Sequence, residues 1–84
     1  MKVILCYTSE NGGFDWLEKE YMIDEINFEG IIQEYVQENK PKAQALSDKW
    51  EINGNSDPLY LNFRMDRGNP TLFRLIDKYM DDLN

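Results

Sequence analysis

Nine carboxylates lie between Glu10 and Glu38 (Glu10, Asp15, Glu18, Glu20, Asp24, Glu25, Glu29, Glu34, Glu38) against the single Lys19, so this third of the chain carries a net −8. Residues 40 to 84 hold seven acids and seven bases and sum to zero, and Lys2 brings the total to −7. Paired carboxylates can serve glycoside hydrolysis, but that chemistry needs a cleft and remote substrate contacts that a chain of 84 residues hardly frames. The same groups can instead bind a basic surface, giving fast and salt-sensitive association.

The remaining reactive side chains point away from catalysis. There is no histidine for proton transfer near neutral pH. The only thiol, Cys6, sits in the apolar run Val3-Ile4-Leu5-Cys6-Tyr7 with no imidazole to activate it. Neither a phosphate-binding glycine loop nor a nucleophile-elbow motif occurs; Gly12-Gly13 alone is a turn. Asn53, Asn55 and Asp57 alternate around Gly54 in the manner of an oxygen-ligand loop, yet the glycine is misplaced for a calcium loop and no bidentate glutamate follows in register. The expectation is no enzyme, no cofactor and no metal.

The elements that would position the acids follow from hydrophobic spacing. Val3 to Tyr7 is short, continuously apolar and bounded by Glu10-Asn11-Gly12-Gly13, which suits a strand buried on both faces and a tight hairpin. Residues 14 to 23 read two ways. With period two, Phe14, Trp16, Glu18, Glu20 and Met22 share one face of a strand and Asp15, Leu17, Lys19, Tyr21 and Ile23 the other. With period 3.6, Phe14, Leu17 and Tyr21 align on a helix. The glycine pair favours the strand.

Asn27 suits an N-cap, and Phe28, Ile31, Ile32, Tyr35 and Val36 form one helical stripe that should end before Pro41. Gly30 in this helix is either a tolerated defect or a point of close packing. A second hairpin is expected from Leu46, Trp50 and Ile52, the turn cluster 53–58, and the clean alternation of Leu59, Leu61, Phe63 and Met65. Asn69 and Pro70 then open a final helix with the stripe Leu72, Leu75, Ile76, Tyr79, Met80 and Leu83. The expected fold is a single α+β domain over residues 1–84, a two-layer sandwich. Two hairpins make its antiparallel sheet and two helices cover one face, in the order ββαββα.

Function is read from charge. The acidic third repels nucleic acid and anionic membrane, so neither is an expected partner, although Tyr60, Asn62 and Arg64 share a polar strand face. The lack of a signal peptide or long apolar stretch and the lone cysteine fit the cytoplasm. The leading expectation is a non-catalytic inhibitor that blocks a basic, nucleic-acid-handling protein such as a nuclease. Glu18, Glu20, Asp24, Glu25, Glu34 and Glu38 supply the charge and Trp16 the anchor. By analogy of type alone, phage-encoded inhibitors of restriction or CRISPR nucleases and immunity proteins are small and acidic in the same way. The alternative is an interaction module that docks or forms a homodimer by sheet-edge pairing, with acidity serving solubility.

Overall fold

The computed structural model describes residues 1–10, 13–49 and 58–84. Along the chain come β1 (Lys2–Ser9), β2 (Asp15–Met22), α1 (Phe28–Lys49), β3 (Leu59–Met65) and α2 (Pro70–Leu83). The sheet order is β2-β1-β3, with β1 antiparallel to both neighbours. The continuous apolar run is thus the central strand, paired on both edges. Within residues 14–23 the strand reading holds over Asp15–Met22: Gly13 takes φ +65, and Ser9 N–H donates to the Phe14 carbonyl at 3.0 Å to close the hairpin.

Cross-strand register sorts the side chains. Val3 faces Tyr21 and Met65, Leu5 faces Lys19 and Phe63, and Tyr7 faces Leu61, so these residues share the core side. Ile32, Tyr35 and Ala43 of α1 and Leu72, Ile76 and Met80 of α2 pack into the same core, which places both helices over that face. The opposite face carries Ile4, Cys6, Thr8, Glu20, Asn62 and Arg64, and neither helix of the described residues packs over it. In α2, Asn69 Oδ1 accepts the Leu72 N–H at 3.0 Å and Pro70 holds the first position, as expected. Leu75, assigned to the buried stripe by spacing, is exposed, while Phe73 leans on Phe63 with ring centroids 5.0 Å apart.

Two expectations need correction. The first helix does not stop before Pro41 but runs through it to Lys49. Pro41 lacks the N–H that would meet Gln37, and both residues are exposed, so the break falls where water can reach it. The apolar stripe meanwhile continues inward through Asn39 and Ala43 to half-buried Leu46. Asn39 hides this continuity in the sequence. It occupies a core position and settles its amide by donating to the Tyr35 carbonyl at 3.0 Å. Leu46 is therefore helical, whereas Trp50, Ile52 and the turn 53–57 lie outside the described residues. Among the described residues the sheet has three strands and the order is ββαβα.

Both helix-breaking residues of α1 give tests. A Cβ added to exposed Gly30 meets nothing within 4 Å, so the position is a tolerated defect and not a close contact. Gly30→Ala should stabilise the fold by about 1 kcal/mol in urea unfolding. Pro41→Ala should stabilise it by ~1–3 kcal/mol. A neutral or destabilising Pro41→Ala would mean that the helix ends before this residue.

Candidate functional site

The acidic strand is not a regular ribbon. Lys19 pairs with Leu5 and Trp16 with Tyr7, so two residues, Leu17 and Glu18, stand opposite the single Cys6. Leu17 has φ +58, the left-handed region that a two-for-one bulge reserves for glycine and that costs another residue ~1–2 kcal/mol. Tyr35 of α1 holds this conformation: its hydroxyl donates to the Leu17 carbonyl at 2.8 Å. The Tyr35 ring is fully buried, stacked on Tyr7 at 5.9 Å and set edge-on to Tyr21 at 6.2 Å.

The extra residue moves Asp15 to the other side of the sheet. Simple alternation puts Asp15 with Leu17, Lys19 and Tyr21; the bulge places it opposite Thr8 on the open face, beside Glu18 and Glu20. There Arg64 of β3 gathers both acids, Nε to Asp15 Oδ2 at 3.4 Å and Nη2 to Glu18 Oε2 at 3.0 Å. Thr8 Oγ1 donates to Asp15 at 2.8 Å and accepts from the Asn62 amide at 3.2 Å. This polar layer seals Cys6, which is 0% exposed and whose thiol pKa burial pushes up, so the side chain is an inert core residue.

The seven residues singled out from the sequence have different fates. Glu18 is held by Arg64 on the open face. Glu38 pairs with Lys19 at 3.9 Å across the β2 margin. Asp24 is a loop staple: its Oδ1 accepts the N–H groups of Ile26 and Asn27, each at 2.8 Å. Asn27 replies by accepting the Asp24 N–H at 2.8 Å. Its side chain therefore faces back into the loop, while its carbonyl starts α1 by accepting from Ile31. Trp16 is half-buried and paired in register with Tyr7, not aligned with Glu18 and Glu20. Glu20, Glu25 and Glu34 are exposed and form no ion pair among the described residues.

The structure adds three exposed apolar residues inside the acidic third that spacing alone missed: Phe14 (67%) beside the β1–β2 turn, and Met22 (64%) and Ile26 (94%) at its other end. Met22 shares the face of Glu20 in the period-two reading, a signal present in the sequence. Ile26 belongs to no stripe, and its exposure depends on the Asp24–Asn27 staple. No cluster of three or more metal-ligating side chains occurs among the described residues, and the turn of Asn53, Asn55 and Asp57 lies outside them. Among the described residues no helix is long and apolar enough to cross a membrane. Compared with known proteins, the chain matches no family model, no curated protein and no solved structure.

Burial raises the pKa of Tyr7 and Tyr35 above the ordinary tyrosine value of about 10. The unfolded chain therefore gives up these protons first as pH rises. Stability should be unaffected by these groups below about pH 10 and should fall above it. Tyr35→Phe should cost ~1–3 kcal/mol at neutral pH, because the Leu17 carbonyl loses its donor, and should flatten the alkaline limb in pH-dependent urea unfolding. An unchanged alkaline limb would show that Tyr35 is not the buried titrating group.

Proposed function

We propose that the protein is a non-catalytic inhibitor that sets its acidic margin, from Glu20 through the β2–α1 loop onto α1, against a basic surface of a nucleic-acid-handling protein. The observation that carries this reading is the composition of that margin. Unpaired Glu20, Glu25 and Glu34 are interleaved with the exposed apolar side chains of Met22 and Ile26. Charge steers the encounter, and apolar knobs on a stapled loop supply the desolvated contacts that slow dissociation. Ile26 and Met22 replace Trp16 as the anchors. Glu18, Asp24 and Glu38 shape the surface through their internal partners and add less free charge.

The alternative, docking or homodimer formation by sheet-edge pairing, has less support. Along the β3 edge that no strand of the described residues pairs, the N–H groups of Leu59, Leu61 and Phe63 donate to Ser47 Oγ (3.3 Å), Asn84 Oδ1 (3.0 Å) and Asn62 Oδ1 (2.9 Å). Asn84 also donates its amide to the Leu61 carbonyl at 3.0 Å, so one carboxamide stands in for a pairing strand. The β2 edge carries a bulge and three consecutive charged residues, both of which discourage strand addition.

The combined Glu20→Lys, Glu25→Lys and Glu34→Lys variant should retain its circular dichroism spectrum. It should also lose the basic protein that the wild type retains from lysate of its source organism at low salt. Ile26→Ser alone should weaken retention by about tenfold or more through faster dissociation. Unchanged affinity in the triple variant, or retention indifferent to salt, would discard the proposal.

A further inference from the structure

The basic residues of the second half are not all spent on neutralising the first. Arg64 is engaged by Asp15 and Glu18, but Arg67 and Arg74 meet no carboxylate among the described residues. With Pro70 and Phe73 they line a mainly apolar depression of about 370 Å³. Pro70, Phe73 and Arg74 fall at i, i+3 and i+4 on α2, and the turn that precedes the helix brings Arg67 to the same depression. Phe73 is 43% exposed, its ring resting on Phe63, which fixes it as a platform. A chain of net charge −7 thus keeps two unneutralised guanidinium groups around an exposed aromatic ring.

We propose that this depression is a second interaction surface, which takes a short acidic segment of a partner protein. In it an apolar side chain rests on Phe73 and Pro70, while flanking carboxylates meet Arg67 and Arg74. Guanidinium matches carboxylate as a planar two-donor fork, and the mainly apolar lining rewards a desolvated hydrocarbon group more than a purely ionic ligand. The first turn of α2 carries no acidic residue of its own, so the helix dipole favours an anion on the Arg74 side of this turn, away from the flank where Asp24 and Glu25 line a depression with Asn69 and Leu72. Charge complementarity argues against the other occupants. A nucleic acid is repelled by the −8 of residues 10–38, and a second copy brings a whole −7 against the same charge, where a short segment brings only the few carboxylates that the two guanidinium groups receive. The surface adjoins the β2–α1 loop, whose Asp24, Glu25 and Ile26 line a depression with Asn69 and Leu72 at the start of α2, but it does not depend on the role of that loop.

The test is a titration of the full isotope-labelled chain with a synthetic peptide of alternating glutamate and leucine, followed by NMR. Shifts should centre on Arg67, Phe73 and Arg74, and Arg67→Glu and Arg74→Glu should each weaken binding by about tenfold or more. Arg74→Gln, which removes the charge without reversing it and keeps a polar helix-compatible side chain, should show the same loss if the reversal variants fail to fold. Three results would overturn the inference: no shifts at these residues, equal binding of a leucine-free glutamate peptide, or stronger binding of a single-stranded oligonucleotide. Sedimentation showing a dimer that Arg74→Gln dissociates would overturn it too, by assigning the surface to a second copy.

Discussion

The hydrogen bond from the Tyr35 hydroxyl to the Leu17 carbonyl is the constraint on which the arrangement of charges depends. Leu17 sits in a backbone region unfavourable for a side chain of its kind, and an isolated hairpin of this sequence has no reason to stay there. A buried donor on α1 changes that balance, since a hydroxyl in the core must find an acceptor or lose its solvation without return. Helix and strand are thereby locked in register: α1 cannot slide without stranding Tyr35, and β2 cannot straighten without stranding Leu17. The aromatic group of Tyr7, Tyr35 and Tyr21 supplies the packed surroundings that make the bond hard to exchange for water.

The surface chemistry follows from this lock. With the extra residue in place, Asp15 and Glu18 fall within reach of Arg64, so the open sheet face becomes a partly neutralised polar layer over Cys6 and not a bare anionic plate. The acidity is thereby divided. One share is engaged inside the fold by Arg64, by Lys19 and by the loop staple of Asp24. The other remains outside on Glu10, Glu20, Glu25, Glu29 and Glu34, of which Glu20 and Glu25 neighbour exposed Met22 and Ile26 in the chain. An acidic protein of this size does not need unbroken negative charge to recognise a basic surface; a few unpaired carboxylates around apolar knobs give rate and residence time separately. In the proposed function, the covered β3 edge and the charged, bulged β2 edge would direct recognition to side chains and away from strand pairing.

Much of this architecture could be read before any coordinates. The apolar run at Val3–Tyr7, the alternation at Leu59–Met65 and the Asn69-Pro70 start of α2 each obey one local rule, and the structure follows them. The failures occur where a tertiary contact outweighs a local rule. Pro41 reads as a helix terminator, but an inward stripe continuing through Asn39 and Ala43 to Leu46 holds the helix together across it. The bulge left no mark in composition, because its αL position is occupied by leucine in place of glycine and its cause lies eighteen residues away on another element. The site was legible only as a region. Which acids are free and which are tied up depends on Arg64 and Lys19, and pattern does not reveal side-chain pairing across strands.

The central claim is that Tyr35 holds a two-for-one bulge at Leu17, and NMR of the intact protein tests it most directly. The account predicts a slowly exchanging Tyr35 hydroxyl proton with Overhauser contacts to Leu17 and Glu18, and cross-strand contacts that set both of those residues opposite Cys6. A rapidly exchanging hydroxyl, together with an unbroken one-to-one ladder from Lys2 to Ser9, would contradict it.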